Sequence, residues 1–152
     1  MSLHTTIKDG IKDAMRAKDT TRLTVLRALS SSFTNELIAK KRKPDEELSD
    51  EDVLTVLSRE ANRRKDASEQ FRIAGRADLA EQEEAELAII QAFLPEQMSQ
   101  EEVVAAVTAK KAELGITDNA QKGQLMGALM KDLKGRADGK MVQDAVEESF
   151  KE

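Results

Sequence analysis

Residues 123–142, GQLMGALMKDLKGRADGKMV, gather the groups most able to bind something. Four cations, Lys131, Lys134, Arg136 and Lys140, fall within ten residues beside two acids, Asp132 and Asp138, for a local charge of +2. Ammonium and guanidinium groups suit phosphate oxygens. Gly123 and Gly127 precede them, although a helix interior disfavours glycine by about 1 kcal/mol relative to alanine. Bare backbone four residues apart admits a close neighbour, which is either a packed helix or the backbone of a ligand. At 100° per residue, Gly123, Gly127 and Lys134 lie on the flank of a face formed by Leu125, Met126, Leu129, Met130 and Leu133, with Lys131 just beyond. Lys131 and Lys134 also offset a helix dipole in its last turn. That account does not reach Arg136 and Lys140, which sit in or past the turn. Residues 95–152 carry 8 basic and 11 acidic residues, a net −3, so the cationic corner runs against the trend around it.

A second basic set, Arg59, Arg63 and Arg64 with Lys65, is followed by Arg72 and Arg76. Glu60, Asp66 and Glu69 are interleaved with it, which permits ion pairs of a few tenths of a kcal/mol each. The set reads as a salt-bridged, solvated face. Arg63 and Arg76 can instead pair with the carboxylates of EQEEAEL (81–87), or the patch can face a nucleic-acid backbone. The run Lys40–Lys43 reads as an exposed loop. Glu81, Glu83, Glu84 and Glu86 read as solvent-facing carboxylates, with no histidine nearby to complete a metal site. His4 is the single histidine and there is no cysteine, so no His-ligated or thiolate metal centre is expected. No G-x-S-x-G and no P-loop appears. No catalytic residue, no metal and no cofactor is therefore expected.

The elements that hold these residues are helical. Of 152 residues, 39% are hydrophobic, 35% are charged and only 2 are proline. Aromatics amount to four phenylalanines, so the core must be built from Leu, Ile, Val, Ala and Met, which suits helix on helix and gives an all-α fold. No apolar run approaches the roughly 18–20 residues that span a bilayer. With no cysteine and no signal-like apolar start, a cytoplasmic location without membrane contact is expected. A net charge of −5 argues against a general nucleic-acid coat, so DNA is not an expected partner.

Apolar residues recur at helical spacing nearly throughout. Leu3, Ile7, Ile11 and Ala14 form one stripe. Leu23, Leu26, Leu29, Phe33 and Leu37 form a second, entered through an Asp19-Thr20 cap. KKRKPDEEL (40–48) interrupts, and Ser49 followed by three acids opens a third helix running past Phe71. Gly75 stops it, and 76–94 reads as a fourth. Leu94-Pro95 marks a boundary. Ser99 and Glu102 have capping-box form and start a helix that Gly115 ends. Two more helices, about 119–134 and 139–150, meet at Gly135, with Asp138 capping the last. The expected organisation is an N-terminal helical domain over 1–94, a long-helix hairpin or bundle, and a compact three-helix domain over 97–152.

MGALMKDLKGRADGKMV resembles the YqeY family, and more distantly the C-terminal tail of the B subunit of the tRNA-dependent Asp/Glu amidotransferase. The residues carrying the likeness are Gly127, Met130, Lys131, Gly135, Arg136, Ala137, Asp138, Lys140 and Val142. The YqeY resemblance extends to LTVLRAL (23–29), VLSREANRRKDASEQF (56–71), AGRADLAEQEEAEL (74–87) and FLPEQMSQEE (93–102). It implies an all-helical two-part protein whose C-terminal part, like that tail, is associated with tRNA. The expected partners are thus tRNA, through Gly123, Gly127, Lys131, Lys134, Arg136 and Lys140, or an amidotransferase or other translation protein. An adaptor that binds protein through its long N-terminal helices is the alternative. Carbon–nitrogen ligation with glutamine as amido-N donor, the chemistry of the relatives' complex, needs an activated nucleophile and a nucleotide site whose motifs this chain does not carry.

Overall fold

The structure, a computed structural model, describes residues 1–151. Among these residues all regular structure is helical. The chain divides into two compact units, Met1–Leu94 and Pro95–Glu152.

The first unit holds α1 (Leu3–Ala17), α2 (Thr20–Ala39), α3 (Asp50–Ile73) and α4 (Ala77–Gln91). Side-chain caps start three of them: Ser2 accepts from the Thr5 N–H, Asp19 from Arg22 and Ser49 from Asp52. Each cap satisfies a backbone donor that the helix itself leaves orphaned. Asp50, Glu51 and Asp52 place negative charge at the positive end of α3. The second stripe foreseen from the sequence is buried at Leu26, Leu29, Phe33 and Leu37 and meets Ile7, Val53, Leu57 and Ile90 in one core. Each such side chain contributes about 1.5–3 kcal/mol by leaving water. Gly10 lets α1 lie close on α2, since a Cβ there would stand 3.1 Å from Leu26 Cδ1. α3 and α4 form the long antiparallel hairpin, turning at Gly75. α4 ends at Gln91 rather than Leu94. Phe93 in the turn that follows lies under the Arg22 guanidinium, 5.6 Å from its ring centre.

His4, which carried only a metal question in the sequence, proves structural. It is 3% exposed, its Nδ1 accepts the Leu48 N–H at 3.0 Å, and its ring lies 5.0 Å from that of Phe33. The 40–49 connection is thereby fastened to the start of α1. Glu47 accepts from the Ser2 and Thr5 hydroxyls, and the Leu3 N–H donates to Asp50 Oδ1 at 2.9 Å. The cations of this connection are partly engaged, Lys40 with Asp52 and Arg42 with Glu46.

The second unit holds α5 (Gln100–Leu114), a 3-10 turn (Asn119–Gln121), α6 (Lys122–Asp132) and α7 (Gly139–Ser149). Both halves of the Ser99–Glu102 capping box form. Val103, Val107, Ile116, Leu125, Leu129, Leu133, Val142 and Val146 make the core. The expected single helix over 119–134 is a 3-10 turn and a shorter α-helix that stops at Asp132. Lys111 closes the C-terminal end, donating from Nζ to the Ser149 carbonyl at 2.9 Å while lying 4.0 Å from the Phe150 ring centre.

Candidate functional site: a basic helix-turn-helix corner

The turn between α6 and α7 is built by backbone geometry. The Leu133 N–H closes on the Leu129 carbonyl at 2.8 Å, and Gly135 then takes φ 77°, a left-handed conformation that glycine adopts without Cβ strain. The Arg136 N–H returns to the Leu133 carbonyl at 2.9 Å. Asp138 caps α7 by accepting from the Lys140 N–H at 3.1 Å. Two residues from the start of this unit brace the turn. Gln97 Nε2 donates to the Gly135 carbonyl at 2.7 Å, and the Met98 N–H donates to the Arg136 carbonyl at 2.8 Å. Sequence reasoning missed both, and periodicity held no signal for them.

Lys131, Lys134, Arg136 and Lys140 are all exposed. Among the described residues no carboxylate forms an ion pair with Lys131, Arg136 or Lys140. The two acids of the corner are turned elsewhere, Asp138 to its cap and Asp132 to Lys110 Nζ at 2.5 Å. Lys110 also meets Glu113 at 3.1 Å, and its hydrogen bond to Asp132, then that to Glu113, holds its pKa above the ordinary lysine value. Lys131, Arg136 and Lys140 therefore face solvent from a braced turn.

Two details differ from the sequence reading. Among the described residues a Cβ added at Gly123 or Gly127 would meet nothing within 4 Å, so no helix of this unit lies against the flank. α6 packs instead through Leu125, Leu129 and Leu133. Because α6 ends at Asp132, Lys134 belongs to the turn and leaves the helical register that aligned it with the glycines.

The second basic set does not form one surface. Arg64 is 7% exposed, its Nη1 donating to Glu60 Oε2 at 2.9 Å and to the Glu60 carbonyl at 3.2 Å. Ser32 donates to the other oxygen of that carboxylate at 3.1 Å. Arg59 reaches across to Glu36 on α2 at 3.1 Å while staying exposed, and Arg63 is the most solvated of the three, 3.9 Å from Glu60. Nor do Arg63 and Arg76 join the hairpin. Arg76 pairs locally with Asp78, and it is Arg72 that grips Glu84 through two nitrogens at 2.9 and 2.8 Å. Ser68 adds a third bond to Glu84 at 2.9 Å. Together the Arg72 and Ser68 hydrogen bonds hold the Glu84 carboxyl below its ordinary range, whereas burial raises that of Glu86.

Among the described residues no group of three His, Asp or Glu is arranged to hold a metal ion, and no helix is long and apolar enough to cross a membrane. What the corner offers is a set of charge-assisted donors to an anion.

Comparison with known proteins adds the lineage. An uncharacterized protein of Schizosaccharomyces pombe is 37% identical over 98 residues, 64% of this chain and 76% of that protein. The protein named "Altered inheritance of mitochondria protein 41, mitochondrial" in Pyrenophora tritici-repentis is 29% identical over 144 residues, 93% of this chain and 77% of that one. Its namesake in Saccharomyces cerevisiae is 33% identical over 137 residues, 90% of this chain and 63% of its own length. These names overturn the expected cytoplasmic location. That expectation rested on missing cysteines and missing apolar segments, and neither property identifies a compartment. The Yqey-like protein family matches residues 4–150, nearly the whole described chain, and the chain belongs to that family.

Proposed function

We propose that the protein is a non-catalytic accessory module that contacts the phosphate backbone of tRNA through Lys131, Lys134, Arg136 and Lys140. The observation that carries this reading is the corner itself: four exposed cations on a braced turn whose own acids are engaged by Lys110 and by the α7 cap. The open Gly123/Gly127 flank leaves room for a backbone beside Lys131. The sequence likeness of this stretch to the amidotransferase B-subunit tail favours tRNA over other polyanions. With an aromatic content of 3%, base stacking has few platforms, so recognition rests on shape and phosphate.

The test is tRNA affinity across a salt series for the natural chain and for a variant with all four cations changed to glutamate. Four cations neutralise at most about four phosphates, so the log–log salt slope should be no steeper than roughly −3 to −4. Removing one lysine should flatten it by about one unit and weaken all tRNA sequences alike. Equal affinities and slopes for both proteins, with helicity intact, would reject the reading.

A further inference from the structure

The second unit carries another concave surface, a groove of about 460 Å³ between α5 and α7, whose character is opposite to that of the corner. Its apolar part is Val104 from α5, 47% exposed, with the partly buried Met141 and, at its floor, the core residue Ala145 from α7, 8% exposed. Along α7, Met141 and Ala145 are four residues apart, and so are Asp144 and Glu148, so an apolar row and an acidic row run in parallel at one helical turn. Asp138, Asp144 and Glu148 face a single cation, Lys140, a lining charge of −2. Asp138 is committed to the α7 cap. Glu148 meets Lys151 at 3.5 Å with both side chains more than 70% exposed (74% and 71%), a contact readily exchanged for another cation.

Beyond Lys140, which the basic corner shares, Asp144 and Glu148 repel a polyanion, and a purely apolar segment would bring them no cation. A helix with an apolar stripe flanked by lysine or arginine four residues apart satisfies both rows at once. We infer that the α5–α7 groove docks a basic amphipathic helix of a protein partner, with apolar side chains on Val104, Met141 and Ala145 and cations against Asp144 and Glu148.

The test titrates the ¹⁵N-labelled full chain with a synthetic helical peptide of leucine and lysine, its leucines along one face. Amide shifts should centre on Val104, Met141, Asp144, Ala145 and Glu148. Val104→Glu, and separately Asp144→Lys with Glu148→Lys, should each weaken binding about tenfold or more with far-UV circular dichroism unchanged, because all three side chains are exposed. An isomer with scattered leucines, and one with glutamate for lysine, should leave these amides unmoved. Equal binding by the scattered isomer or by the variants would overturn the proposal. So would shifts centred elsewhere, shifts at the groove on concentration without peptide (a second copy of this chain), or tRNA moving the Val104 and Glu148 amides, which lie away from Lys140.

Discussion

Gln97 and Gly135, 38 residues apart in sequence, are joined by a 2.7 Å hydrogen bond from the Gln97 side chain to the Gly135 carbonyl. The same amide group also donates to the Pro95 carbonyl at 2.8 Å. The start of the second unit is thus tied to the turn that presents Arg136.

Gln97→Ala should cost about 0.5–1.5 kcal/mol of stability, the usual net value of a hydrogen bond, while leaving helix content unchanged. Urea unfolding reads the stability. Faster amide exchange confined to residues 133–137 would locate the loss at the turn. Unaltered exchange there would show that the Met98 bond alone suffices.

Gly127→Ala should stabilise the protein by about 0.5–1 kcal/mol, because an added Cβ meets nothing within 4 Å and alanine is the better helix former. A raised melting temperature together with reduced tRNA affinity would mark the flank as ligand-facing. A lowered melting temperature would contradict the open flank.

Arg64→Ala should be severely destabilising, about 3–5 kcal/mol, since it removes the buried cation from the Glu60 carboxylate, which is only 8% exposed and keeps just Ser32 and the distant Arg63. Arg63→Ala, on a side chain 77% exposed, should stay within about 0.5 kcal/mol. Denaturant midpoints of the two variants check the contrast. Equal midpoints would restore the picture of one solvated arginine face.

Stability should decline as pH falls below the ordinary histidine value of 6.5. Burial first, and Lys8 second, lower the His4 pKa, with Glu47 opposing, so the unfolded chain takes up a proton before the folded one does. Protonation at Nδ1 also removes the acceptor for the Leu48 N–H. The contribution is complete above pH 6.5 and is lost as pH falls through the depressed folded value. Glu47, held below its ordinary 4.5 first by the Thr5 hydroxyl and then by that of Ser2, adds a separate loss at lower pH. Melting temperatures at stepped pH should show a slope in the histidine window that His4→Asn flattens, and an unchanged slope would refute the assignment.

Local chemistry was legible in the sequence wherever the cause is local. The caps at Ser49, Ser99 and Asp138, the stop at Gly75 and the apolar stripes of α2 and α3 each depend on residues within a turn or two of one another, so the residue types alone determine them. The exposed cations of the corner were legible for the same reason. What required tertiary structure was the choice among partners. Arg63 and Arg64 are adjacent and chemically identical, yet one is solvated and the other buried on Glu60, because the packed bundle decides which side of α3 faces inward. Arg72 rather than Arg63 or Arg76 reaches Glu84, because the register of the α3–α4 hairpin sets that distance. Gly123 and Gly127 stay uncovered, and Gln97 finds Gly135, through the placement of helices distant in sequence. A single chain states which groups can bond within a turn or two. Only the fold, by excluding water from some of them and bringing others within 3 Å, selects which long-range bonds form.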